Sequence, residues 1–508
     1  MKLKNKRSTG HDELSPYCLK LLIPSLLRPL EIIINRIISE GEFPSTLKLS
    51  KIKPIHKKNE RDLMTNYRPI SLLPATSKLI EKLIHTRIYS FLSTNDILTD
   101  NQFGFRPKLS TTDALTKFFG DTYNSINAKQ PTVATFLDLS KAFDTIQHTL
   151  LLQKLHHYGI RGTAHKLLTS YLKNRTQFCV VNGIQSPTIT APPFGVPQGS
   201  VLGPLLFTIY TNDLSNALRH TSLIQFADDT TLYCSGPNIE QLIHNMNIDI
   251  QTTYNYFSAN SLQANASKTN YMIIHPTKNF TGHSPLTVNN ISISEVKEST
   301  FLGITIDHKL TFEAHIKKIT KKISSGLFAL RQVKNVLPRR YLKPIYHALI
   351  SSHLNYGIIF WNTAAKKHTN RLRVLQKKAL RIITHSQYNA PSAPLFTSEK
   401  ILNIDNLHKL QLQKLMYRIN HNHLPIGIRN IFSQNRTLTH HTYNTRYQDT
   451  NPMTTSTSRH ALTHRSFNFQ GPNLWNTLSR EMKQTATLKA FTQRQKRILI
   501  DNTHQQLN

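Results

Sequence analysis

The sequence predicts an α+β protein, mixed over its first 308 residues and helical beyond about residue 310. Three observations carry this. TVATFLDL (132–139) is a β-branched and aromatic run of strand length that ends on a carboxylate. LIQFADDTTLYCS (223–235) reads as two short strands about a central acidic turn. Strands and helices then follow one another without the strict βαβ alternation of a parallel fold.

Taken in order, residues 20–50 form an amphipathic helical stretch, broken at Pro24 and Pro29 and ended near Gly41 and Pro44. Residues 51–130 mix short apolar runs with basic and turn residues. After the buried strand at 132–139, helices are expected over 140–158 and 162–173. QFCVVNG (177–183) and SPTITAP (186–192) pair through Asn182-Gly183, a dipeptide that suits tight hairpins. Residues 201–219 return to helix. In 312–330, Ile316, Ile319, Ile323, Leu327 and Leu330 recur at helical spacing, while Lys317, Lys318, Lys321 and Lys322 fall largely on another face. The Thr-, Asn- and His-rich stretch 434–468 reads as an exposed linker or loosely ordered segment, and a helical pair is expected across 472–500.

At 508 residues and 39% hydrophobic content, the chain can bury about two to four packed units and is not a disordered protein. No run approaches ~20 apolar residues, and none of signal-peptide length follows the basic N-terminus, so no membrane span or secretion is expected. Cys18, Cys179 and Cys234 stand far apart, a pattern of neither disulfides nor a zinc knuckle, and an intracellular setting is expected. Charge says more. Residues 309–508 hold 32 basic and 6 acidic side chains, a net of +26, against +9 for residues 1–308. So basic a half should attract a polyanion, and nucleic acid fits best.

The carboxylates of the less basic half then need a use. Nucleotidyl transfer by the two-metal route requires acidic ligands that hold two divalent ions roughly 4 Å apart. Asp138 closes a hydrophobic strand, so its side chain could emerge at a sheet edge. Asp228 and Asp229 sit between apolar runs (Phe226 and Ala227, then Leu232 and Tyr233), where a hairpin would lift them into a cleft. Adjacent strand residues point to opposite faces, so the two need not serve equally. Side by side they repel each other, and a bound cation is the simplest relief. A solvent-exposed acidic turn is the plain alternative, weakened by the hydrophobic residues tight on both sides.

ATFLDLSKAFDTIQH (134–148), FGVPQGSVLGPLLFTIYTNDL (194–214) and FADDT (226–230) resemble motifs A, B and C of reverse transcriptases, in that order. Upstream, Ser8, Gly10 and Asp12, then NYRPISLL (66–73) and QFGFRPKLST (102–111), resemble finger motifs of the non-LTR retrotransposon branch. LQANASKTNYMII (262–274) resembles motif D and STFLGITID (299–307) the primer-grip region. The tail GPNLWNTL (471–478) is similar to that of jockey-like elements.

The resemblance implies a right hand of fingers, palm with antiparallel sheet, and helical thumb, plus a helical basic C-terminal region. It divides the chain into a finger extension (1–36), fingers and palm (37–308), thumb (309–390) and C-terminal region (391–508). It implies an RNA-directed DNA polymerase that adds dNTPs to a DNA 3′ end, at a primer or target DNA, on an RNA template with two Mg²⁺ ions. Asp138 and Asp228 are the implied main metal ligands, with Asp229 assisting. Asp144 matches the motif with no implied metal role and is expected to be a hydrogen-bonding partner. Phe143 matches the aromatic that stacks under the deoxyribose and leaves no room for a 2′-hydroxyl; without the motif it would read as a core ring. Gln198 and Gly199 match the pair at the nascent base pair, where glycines at 195, 199 and 203 allow close backbone approach. Arg68 matches the finger residue that grips the triphosphate, with Lys57, Lys58 and Arg61 as weaker candidates. Lys268 matches the lysine that protonates the leaving pyrophosphate.

The lysine face of 317–322 becomes an expected phosphate contact of the thumb. His440, His441, His460 and His464, with no cysteine near, are expected to be loop residues rather than metal ligands. Finger motifs begin within ten residues of Met1, leaving no room there for an endonuclease, and 391–508 lacks clustered acidic residues for a ribonuclease H site. A truncated element copy or an open reading frame cut short is expected on that ground. The alternatives are a folded but inactive nucleic-acid-binding remnant and, within the class, a group II intron-like maturase.

Overall fold

The computed structural model describes residues 5, 7–265, 268–433, 453 and 460–505. Helix α1 (Pro16–Glu40) does not break at Pro24 and Pro29 as expected. Each proline removes one helical N–H. The helix continues because its ends are pinned, Leu19 against Ala75 and Leu79, and Ile37 in a larger core. It stops at Gly41, whose φ of 67° suits glycine. The expected boundary at 36–37 therefore falls inside this helix.

Strands β1 (Leu49–His56) and β2 (Tyr67–Leu72) pair antiparallel, followed by α2 (Ala75–Thr94) and α3 (Thr111–Asn127). The strand expected at 132–139 is β3 (Thr132–Leu137), buried throughout, with β4 (Leu139–Ser140) beyond it. The helix expected over 140–158 begins only at α4 (His148–His157). Its first residues are committed elsewhere: Gly195 N donates to Ile146 O at 2.7 Å and Val196 N to Phe143 O at 2.9 Å. Helix α5 (Gly162–Leu172) precedes the hairpin β5 (Thr176–Val181) and β6 (Ile184–Gln185), which turns at Asn182 and Gly183, both at positive φ. Strand β7 (Ile189–Thr190) returns to β5, and β5 also joins β1 in parallel. The helix expected at 201–219 forms as two pieces, α6 (Gly203–Tyr210) and α7 (Leu214–Ala217).

The hairpin β8 (Ser222–Phe226) and β9 (Asp229–Ser235) comes next, then α8 (Ile239–Ala259), β10 (Gln263–Ala264) and β11 (Asn270–Ile274). Short strands β12 (Thr287–Val288), β13 (Ile291–Ser292) and β14 (Ser294–Glu295) lead to the hairpin β15 (Glu298–Phe301) and β16 (Ile304–Asp307). The central sheet runs β14-β11-β3-β9-β8, antiparallel except where β14 joins β11. It is antiparallel over four of its five strands, as expected of the sheet within residues 37–308. Alternate residues face two cores: Val133, Leu137, Leu232 and Ile273 pack with α6 and α8, whereas Ala134, Phe136, Tyr233 and Met272 pack with α3 and the helices beyond residue 310.

Helix α9 (Glu313–Val333) buries Ile316, Ile319, Ile323, Leu327 and Leu330 and leaves Lys317, Lys318, Lys321 and Lys322 exposed, as the spacing predicts. The helices that follow join the same core, in which Phe118 and Phe119 of α3 meet Phe360, Phe467, Trp475 and Phe491. Most of the linker expected at 434–468, with His440 and His441, lies outside the described residues. Its described end is a correction: Ala461–Arg465 is helical, and Phe467 opens the next helix at 1% exposure. His460 and His464 lie at that end.

Candidate active site

Three carboxylates meet at one corner of the central sheet. Continuing the β3/β9 register one step past Leu137↔Thr230 sets Asp138 opposite Asp229. Phe226 pairs with Asp229 across β8 and β9, so Ala227 and Asp228 form a two-residue turn. Burial raises the Asp228 carboxyl, and the charge of Asp138 raises it further, while Arg68 and Lys57 stand near enough to pull it back. Asp229, at the exposed rim, is pushed up to about 6, first by desolvation and then by Asp228 and Asp138, with Lys268 opposing. Lys268 forms an ion pair with Asp138. The Asp138 carbonyl also accepts from Asn265 N at 2.7 Å. As they stand, no three acidic or imidazole side chains among the described residues are arranged to hold a metal. The donor set nonetheless suits a hard divalent cation, because it offers carboxylate oxygens whose crowding such an ion would relieve.

Around this corner the motif A turn and the motif B loop lock together. Phe143 is half-buried, stacked on Phe207 with ring centroids 5.0 Å apart and edge-on to Phe105 at 5.9 Å. Gln198 Nε2 donates to both oxygens of Asp144, at 2.8 and 2.9 Å, so Asp144 is a hydrogen-bonding partner as expected. Gly199 has φ +123°, and a Cβ there would lie 2.7 Å from Ser71 O. At Gly195 and Gly203 the close neighbours are Asp144 O and Ser200 Oγ. At all three glycines the protein's own atoms approach closely enough that a side chain would collide with them. Arg68 is exposed on β2, paired with Ile55. Lys58 and Arg61 lie in the exposed connection between β1 and β2.

Residues 55–306 match the family model described as reverse transcriptase (RNA-dependent DNA polymerase). This segment is a reverse transcriptase domain. The chain is 32% identical to the probable RNA-directed DNA polymerase from transposon BS of Drosophila melanogaster, over 75% of this chain and 43% of that protein. It is 29% identical to the RNA-directed DNA polymerase from mobile element jockey of the same species, over 82% of this chain and 46% of that protein. The chain thus spans less than half the length of these relatives. Among solved structures, apo telomerase from Candida tropicalis is similar at 12% identity and a TM-score of 0.39, covering 71% of this chain and 63% of that one. The resemblance to reverse transcriptases of mobile elements is borne out.

The reverse transcriptase domain also holds a buried acid that no motif marks. Glu81 of α2 is fully buried and accepts from Val201 N at 2.6 Å, Leu202 N at 3.2 Å and Ser77 Oγ at 3.1 Å. Burial pushes its carboxyl up, and these bonds offset that. It pins the loop between Gln198 and α6. The only signal was an acid inside the apolar run LIEKLI (79–84). From beyond the matched segment, the phenol of Tyr356 donates to Leu302 O at the tip of the β15/β16 hairpin. Among the described residues no helix is long and apolar enough to cross a membrane.

Proposed function

We propose that the chain is an RNA-directed DNA polymerase that extends a DNA 3′ end, on a primer or a target DNA, with dNTPs along an RNA template. The observation that carries this is the meeting of Asp138, Asp228 and Asp229 at one corner of a buried antiparallel sheet, inside a segment matched to the reverse transcriptase family. Asp138 and Asp228 would hold two Mg²⁺ ions with help from Asp229. When bound, Mg²⁺ would activate the primer 3′-hydroxyl and neutralise charge on the leaving pyrophosphate.

The chain's own side chains do the rest. Arg68, near enough to Asp228 to lower its pKa, would clamp the triphosphate through its planar fork. Lys268, beside Asp138, would supply the proton that the pyrophosphate takes up. Phe143 would press against the sugar, and the Gln198–Asp144 pair would set the wall at the nascent base pair. The exposed lysines of α9 would meet the duplex phosphates without regard to sequence.

Primer extension by the full chain on an RNA template tests this. We expect dNTP-dependent extension that requires Mg²⁺. Nucleic-acid binding without extension would instead identify an inactive remnant.

A further inference from the structure

The turn that carries Asp228 is built in an unfavourable way. Ala227 has φ +58°, the left-handed region where a two-residue turn ordinarily uses glycine. A side chain from outside the hairpin compensates. Gln102 is 1% exposed. Its Oε1 accepts from Ala227 N at 3.2 Å and from Gly104 N at 2.8 Å, and its Nε2 donates to Ala227 O at 3.5 Å. One carboxamide thus engages both polar backbone groups of the residue before Asp228.

The support behind Gln102 is rigid. Gln225 N donates to Asn101 O and Phe103 N to Gln225 O, both at 2.8 Å, so the finger segment adds a short parallel rung to the edge strand β8. Arg106 Nη1 donates to Thr99 O at 2.6 Å, and Asn212 bridges Thr99 N and Ile97 O at 2.9 and 2.8 Å. Gly104 lies against the turn itself: a Cβ there would sit 2.2 Å from Ala227 N. Only a residue without a side chain lets the segment approach so closely.

We propose that Gln102 is a positioning residue for the catalytic turn, holding Ala227 in its left-handed conformation so that the Asp228 carboxylate meets Asp138. The inference rests on the polymerase reading above. Glutamine suits the position because acceptor and donor are both needed. Glutamate would lose the donor and bring a like charge toward Asp228, and methionine matches the volume with neither group.

The test compares Gln102→Met and Gly104→Ala with the wild type in the full chain. Mn²⁺ affinity is read by electron paramagnetic resonance without substrate, alongside kcat and dNTP KM for primer extension, primer–template Kd and Tm. Loss of a residue that orients a metal ligand should weaken Mn²⁺ binding and kcat by about 10–100-fold. KM and primer–template Kd should stay within about twofold, a split that a general packing defect would not produce. Gly104→Ala should weaken Mn²⁺ binding in the same way by pushing the turn, and it decides the matter alone if Gln102→Met does not fold. Mn²⁺ affinity and kcat unchanged in the variants overturn the proposal, as does primer–template binding that falls as far as kcat. A wild type that neither binds Mn²⁺ nor extends a primer overturns the polymerase reading, and this inference with it.

Discussion

Phe143 lies with one face on Phe207 and its edge to Phe105, half-buried where the motif A turn leaves the central sheet. If its free edge excludes a 2′-hydroxyl, Phe143→Val should lower the deoxy-over-ribonucleotide ratio of kcat/KM by roughly one to three orders of magnitude. Most of that change should come from faster ribonucleotide use. A core ring cut to a small residue costs about 3–5 kcal/mol of stability and slows both substrates alike, so an unchanged ratio in single-nucleotide kinetics would assign Phe143 to packing. The rim carboxylate gives a second expectation. Asp229 is raised to about 6 from an ordinary 3.8, so the folded state favours its protonated form. That contribution is full below the ordinary value and is lost as pH rises through about 6. A divalent ion relieves the ionised cluster, so Mg²⁺ should raise Tm by about 1–3 °C at neutral pH and hardly at all at pH near 4. Thermal scans with Mg²⁺ and with a chelator at both pH values check this; an equal shift at both would remove Asp229 from the proposed metal ligands.

Elements whose signals are local were legible in the sequence. The buried strand β3, the hairpin at Asn182-Gly183, the acidic turn and the α9 stripe announce themselves through periodicity and turn chemistry. Other features depend on partners far along the chain. Residues 140–147 are held out of helix by the backbone at 195–196, α1 survives its prolines through contacts at both ends, and Glu81 meets Val201 across 120 positions. The carboxylates of the site were legible through their motifs, whereas nothing local marked Gln102 as their support. One long-range interaction makes a measurable claim. Arg418 donates to the fully buried Asp113 at 2.6 Å, fastening a C-terminal helix (Ile404–Asn420) to the start of α3. Arg418→Met removes the cation from that buried carboxylate and leaves it only its bonds from Ser110 N and Oγ, which should cost about 3–5 kcal/mol. Arg28→Met, breaking only the exposed pair with Glu31, should change stability by less than ~1 kcal/mol. Denaturant titration of both variants checks the contrast, and equal small effects would mean the C-terminal helices add little to the fold.

Across the whole molecule, charge and packing divide the work differently. The part beyond residue 308 carries the net +26, yet its apolar side chains close one core with α3 and the central sheet. Nucleic-acid binding by this half is therefore best tested in the intact chain, since a fragment from 309 onward would expose that core. Replacing Lys318, Lys321 and Lys322 with Gln should weaken binding to any duplex and flatten its dependence on log salt by about 0.9 for each phosphate no longer neutralised. An unchanged slope in fluorescence titrations would make the lysine face a solvated surface. As proposed above, this chain polymerises DNA on RNA through the carboxylates of the sheet corner. Primer extension by Asp228→Asn, beside the wild type on one RNA template, decides whether it does. The variant should fold and bind primer–template as the wild type does, while extension falls roughly a thousandfold or more for want of a charged ligand. Retention of even about a tenth of wild-type activity, a drop worth only ~1.4 kcal/mol, would contradict the assignment.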